Sequence, residues 1–163
     1  MNIIDNFLPE DEFDYMERNF LGSYFPWYYN AGISNYPYET DGHNYQLTHL
    51  LVLDTGERTH FSSLLDPLIK KINPKKLIRA KVNLGPRDFT QVEGGWHRDY
   101  DDPELTTATF YINDNNGYTM FEDGTKVESK RNRLASFPAT ERHSGVSHTD
   151  AQVRIVLNLN YIA

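Results

Sequence analysis

The 163-residue sequence contains no cysteine. That excludes a disulfide framework, a thiolate-bound zinc or iron–sulfur centre and a cysteine nucleophile, so any metal must be held by histidine and carboxylate. No apolar run approaches the ~20 residues that cross a bilayer. The opening MNIIDNFLPEDEFDYMERNF is acidic where a secretory signal is basic, which leads to the expectation of a soluble, cytoplasmic protein with no membrane partner. Positive charge is also scarce: 16 Lys and Arg against 23 Asp and Glu give a net charge of −7. A nucleic-acid partner is therefore disfavoured, because a broad grip on phosphates needs the opposite sign. The one basic block, KKINPKKLIRAK, reads as a solvated face.

What is present is enough for a core. With 39% hydrophobic and 13% aromatic residues, a chain of this size buries roughly 70% of its unfolded surface, and one domain over 1–163 is expected. Leu8, Phe13, Met16 and Phe20 recur at helical spacing between Pro9 and Gly22, predicting a first helix. A second is predicted over RTHFSSLLDPLIKKI, with a kink or restart at Pro67. Between them, SYFPWYYNAGISNYPY is dense in aromatics, Pro, Gly and Asn and reads as a long loop that either covers a site mouth or closes a small core. A strand is expected from about Leu47 to Leu53.

From residue 77 the period becomes two. LIRAKVNL, TTATFYIN, TMFEDGTKV, RLASFPA and VRIVLNLNYI are short strand-like runs separated by turn residues, so the expected fold is α+β, mainly β, with the sheet curling into a sandwich or barrel. Parity then sorts faces. Arg154, Val156, Asn158 and Asn160 share one face of the last run, and Val153, Ile155, Leu157, Leu159 and Tyr161 the other. Likewise Thr107, Thr109 and Tyr111 oppose Ala108, Phe110 and Ile112. Two strands thus turn polar residues toward one interior.

The chemistry centres on QVEGGWHRDYDD. In extended chain His97 and Asp99 project from one side and can grip a common ion; an ion pair or turn is the plain alternative. A metal needs a third ligand, for which His43, His49, His60, His143 and His148 are candidates. Two imidazoles and a carboxylate on one side of an ion form the facial triad of non-haem Fe(II) oxygen chemistry. Arg154, facing a polar interior, suits a carboxylate guest, or else pairs with an acid of the protein.

The ordered set WHRDY, TATFYINDNNGYTMFEDGTKVESKRNRLASFP, RHSG and VRIVLNLNY resembles the prolyl-4-hydroxylase-like 2-oxoglutarate- and Fe(II)-dependent oxygenases, in particular small members found in phages. The resemblance covers roughly residues 77–163, and FPWYYN and YQLTHLL less distinctly. It implies a double-stranded β-helix (jelly-roll) with the N-terminal helices packed on the larger sheet. It implies His97, Asp99 and His143 as metal ligands, and Arg154 and Tyr111 as holders of the distal carboxylate of 2-oxoglutarate. Asn83 and Thr109 line that pocket by strand parity alone. The implied cofactors are Fe(II), 2-oxoglutarate and O2, and the implied reaction is hydroxylation of an unidentified substrate such as a peptidyl proline. A nucleobase or a free amino acid as substrate, and a jelly-roll that binds metabolites or peptides without turnover, are the alternatives. The 11-residue interval from His143 to Arg154 is long for this group and contains His148. The composition of GVSHTDAQ predicts a solvated loop for His148, which favours His143 as ligand.

Overall fold

The computed structural model describes residues 1–31 and 45–163. Its elements are β1 (Asn2–Ile4), α1 (Glu10–Leu21), β2 (Tyr28–Asn30), β3 (Gln46–Val52), a 3-10 helix (His60–Leu65), α2 (Asp66–Ile72), β4 (Lys76–Pro86), β5 (Leu105–Tyr111), β6 (Tyr118–Phe121), β7 (Lys126–Glu128), β8 (Arg133–Pro138), β9 (His143–Val146) and β10 (Val153–Ile162). A seven-stranded sheet runs β1-β8-β5-β10-β4-β3-β2, and a three-stranded sheet runs β7-β6-β9. Isolated bridges from Glu93 to Val146 and from His97 to His143 extend the smaller sheet beyond β9.

The chain passes from β4 in the large sheet to the Glu93–His97 segment in the small one, back to β5, across to β6 and β7, and then through β8, β9 and β10 by turns. That alternation is a double-stranded β-helix. Its helices start and stop where local chemistry dictates. The first turn of α1 carries Glu10, Asp11 and Glu12, which suit the positive end of the helix dipole, and Gly22 follows its end. Pro67 stands in the first turn of α2, directly after the 3-10 helix, so the expected restart is found. An N–H that has no helical partner there costs nothing to lose.

One core lies between the helices and the outer face of the large sheet. Phe13, Met16, Phe20, Leu65 and Leu68 pack against Ala80, Val82, Ala108, Phe110, Ile155, Leu157 and Leu159. A smaller one lies between the sheets and contains Tyr111, Phe121, Val127, Ala135, Phe137 and Val156. The even–odd alternation of β5 and β10 is therefore a division between a helix-covered face and a barrel interior. In the aromatic loop, Phe25 and Trp27 close the first core against Phe20, Phe61 and His49, while Tyr24, Tyr28 and Tyr29 are exposed. The remainder of that loop, and His43, lie outside the described residues. No helix among the described residues is long and apolar enough to cross a membrane.

Candidate metal centre and carboxylate pocket

His97 and His143 are tied by their backbones. His97 N–H donates to the His143 carbonyl at 3.0 Å, and His143 N–H donates to the His97 carbonyl at 2.9 Å. This bridge sets the two imidazoles side by side, with ring centroids 4.5 Å apart. Each Nδ1 lies 3.0 Å from a backbone carbonyl two residues earlier, Gly95 for His97 and Glu141 for His143. A carbonyl only accepts, so both Nδ1 atoms carry the proton and both Nε2 lone pairs are free.

Asp99 completes the group. Its Oδ2 accepts hydrogen bonds from Thr107 Oγ1 at 2.7 Å and Asn160 Nδ2 at 2.9 Å, while its Oδ1 stands 3.9 Å from His97 Nε2. One ligand atom from each of His97, Asp99 and His143 lies within 4.8 Å of the others. Two neutral nitrogens and one carboxylate oxygen, all oriented by their own partners, are a donor set that would suit a divalent Fe(II). Burial lowers the pKa of His143, the charge of His97 adds to this, and the Glu141 carbonyl and Asp99 oppose it; the net lowering favours the neutral form a metal needs.

His49 and His60 lie elsewhere. His49 packs between Phe25 and Phe61 on the far face of β3, and His60 meets Phe61 edge to face. His148 requires a correction: it is not solvated but 1% exposed. The polar loop that carries it is pinned on several sides. Asp88 N–H donates to the His148 carbonyl, Ser147 N–H to the Val92 carbonyl, and Asn116 bonds both Thr149 and Asp150. The His148 Nε2 is buried with no hydrogen-bond partner among the described residues. Burial, followed by the charge of Arg154, lowers its pKa, and it is not among the residues whose donor atoms converge.

Arg154 lies on the inner face. Its Nε donates to Ser129 Oγ at 2.8 Å, and its guanidinium carbon stands 5.9 Å from the centre of the Tyr111 ring. No acid pairs with it among the described residues, and burial lowers its pKa. Tyr111 is fully buried, and its hydroxyl donates to Thr119 Oγ1 at 2.8 Å. Across the strands, Asn83 pairs with Val156, and Val156 with Tyr111; Thr109 pairs with Asn158 one step along. The side-chain oxygen of Asn83 is buried without a partner.

Strand parity turns Thr107 and Asn160 inward but assigns them no task, and Ser129 and Gly117 carry no signal in the sequence at all. A Cβ on Gly117 would come within 2.8 Å of Arg154 Cδ and 2.9 Å of the Val146 carbonyl oxygen, so only glycine leaves the arginine its place. The basic block also divides. Lys70, Lys71, Lys75 and Lys76 are exposed as expected, but Arg79 and Lys81 are not; both belong to the inner face of β4, in register with Asn160 and Asn158. A separate cleft of about 890 Å³, lined by Asn115, Tyr118, Ser129 and Lys130 among others, contains no triad residue.

The fold has many solved counterparts. A Pseudomonas putida prolyl-4-hydroxylase superposes with a TM-score of 0.61 at 15% identity, over 99% of this chain and 91% of that one. A prolyl hydroxylase from Trichoplax adhaerens, in complex with a hypoxia inducible factor peptide fragment, gives 0.59 at 17% identity over 99% and 82%. The non-haem α-ketoglutarate-dependent epimerase SnoN of nogalamycin biosynthesis gives 0.68 at 14% over 98% and 77%. At these identities the likeness concerns the fold. No family model and no curated protein sequence matches the chain.

Proposed function

We propose that the protein is an Fe(II)- and 2-oxoglutarate-dependent oxygenase that hydroxylates a C–H bond of its substrate. The observation that carries this reading is the geometry of the triad: two imidazoles with free Nε2 atoms and one free carboxylate oxygen, inside a double-stranded β-helix. His97, Asp99 and His143 would hold the iron. When bound, iron and 2-oxoglutarate supply the oxidising chemistry, in which O2 and 2-oxoglutarate give succinate, CO2 and a hydroxylated product.

The chain's own residues have defined tasks. Arg154, held by Ser129 and seated by Gly117, presents the unpaired end of its guanidinium to the distal carboxylate. Tyr111 supports that pocket with its ring and its hydroxyl, and Asn83 and Thr109 line it. Thr107 and Asn160 fix Asp99 so that one oxygen faces the ion. A peptidyl proline, the class to which the peptide-bound Trichoplax prolyl hydroxylase points, is one of the substrate classes to be compared.

The test is a screen for a 16-dalton gain across peptide, nucleotide and amino-acid pools supplied with Fe(II) and 2-oxoglutarate, with succinate measured in parallel. The purified protein should bind one Fe(II) per chain; absence of both iron binding and succinate would sink the proposal.

Two expectations follow at the level of single residues. Arg154→Ala should raise the KM for 2-oxoglutarate about tenfold or more, since a charge-assisted contact contributes ~1.5–3 kcal/mol; steady-state kinetics with varied 2-oxoglutarate reads it. Asn160→Leu should weaken Fe(II) binding by about 10–100-fold through loss of a partner that orients Asp99, as measured by competition with a metal chelator. Unchanged values in either experiment would remove that residue from its task.

A further inference from the structure

Resting on that oxygenase reading, we propose that the substrate is a small molecule bearing a carboxylate or phosphate a few bonds from the reacting C–H, and that Arg79 and Lys81 bind this anionic group. The two residues sit at i and i+2 on the inner face of β4. Arg79 is in register with Asn160, whose amide holds Asp99, so it stands one strand away from the triad.

Neither cation makes a hydrogen bond among the described residues. Lys81 makes no hydrogen bond or ion pair among the described residues, although it is half-buried. Burial lowers its pKa first, the like charge of Arg79 lowers it further, and Asp99 opposes both. The Arg79 Nε is buried with no hydrogen-bond partner. Its one acid, Asp54, is 3.9 Å away, with a side chain 68% exposed, and already accepts the Tyr100 hydroxyl at 2.5 Å. Two adjacent cations inside a barrel cost desolvation and repel one another, a cost that Asp54 and Asp99 offset without a hydrogen bond to either and that an anion arriving from solution would offset directly.

Charge counting points the same way. Iron at +2 and 2-oxoglutarate at −2 cancel. Of the protein's own charges, Arg79, Lys81 and Arg154 stand against Asp99 and the more distant Asp54, which leaves a surplus of one positive charge around the reaction centre. Arg133 shares a register position with Tyr111 but is committed to Asp5. A proline within a peptide carries no charge near its ring carbons and would leave Lys81 unpaired and Arg79 with the exposed Asp54 alone. A free carboxylate or phosphate would pair with both.

The test uses the whole chain loaded with Zn(II), which is redox-inert and prevents turnover, and saturated with 2-oxoglutarate. Acetate and methyl phosphate are titrated separately while the Lys81 side-chain carbon resonance, assigned by its loss in Lys81→Met, is followed by NMR. The expected result is a saturable shift with at least one anion, weakened about tenfold or more by Arg79→Met. The anion that binds more tightly distinguishes a carboxylate substrate from a phosphate one. The inference is overturned if neither anion shifts Lys81. It is equally overturned if they bind only when 2-oxoglutarate is absent, because the two cations would then serve the co-substrate. Failure of 2-oxoglutarate itself to bind would strike at the oxygenase reading, and the anion titration would remain readable.

Discussion

Asp99→Ala is expected to bring succinate formation down to the background of metal-free protein. Asp99 is the one anionic member of the triad, and two neutral imidazoles alone hold a dication far less firmly than two imidazoles and a carboxylate. The substitution also strips Thr107 and Asn160 of the oxygen they share, but Asn160 Nδ2 still donates to Thr107 Oγ1 at 2.9 Å. The cost to stability is therefore modest, about 1–3 kcal/mol for a polar group left short of a partner. The variant should fold, melt slightly lower, and fail to retain iron on gel filtration. Two measurements separate chemistry from structure: metal content of the purified variant, and its denaturant midpoint beside that of wild type. Retained turnover at ordinary iron concentrations would remove Asp99 from the metal centre.

The parts of this centre that are legible in the sequence are those governed by parity. A strict alternation over β5 and β10 sorts Thr107, Thr109, Tyr111, Arg154 and Asn160 inward, and the pleat leaves no other arrangement once Phe110, Ile155 and Leu157 face the helices. The H-x-D spacing carries the same information for His97 and Asp99. The α1 and α2 boundaries follow from Pro9, Gly22 and Pro67 for equally local reasons.

What the sequence hides depends on partners distant along the chain. β1, β2 and β9 are three or four residues long, too short to show a period, and they exist because longer strands offer them an edge. The bridge between His97 and His143 joins segments 46 residues apart, and neither segment announces it. Composition misleads at His148 because polar residues mark a loop as wet only when their polar groups have no protein partners. Here Asn116, Asp88 and Val92 supply them. At Lys81 it misleads for the opposite reason. A charge run looks like a solvated face until a strand passes through it, and β4 carries the last two cations of the run into the barrel.

The choice between His143 and His148 as the third ligand yields the second large effect. His143→Ala should eliminate iron-dependent succinate formation, whereas His148→Ala should retain most of it at saturating 2-oxoglutarate. His143 opens β9, where its backbone is locked to His97 in both directions and its ring rests on Phe137, with centroids 5.0 Å apart. A ligand must keep its donor atom within a few tenths of an ångström of its place, and that double bridge provides the constraint. His148 is just as buried, so exposure does not decide between them. What decides is convergence: His148 is absent from the group whose donor atoms lie together. Iron content of the two purified variants separates the alternatives independently of turnover. An iron-free His148→Ala beside an iron-replete His143→Ala would reverse the assignment and, with it, the register of the β9–β10 connection around the metal.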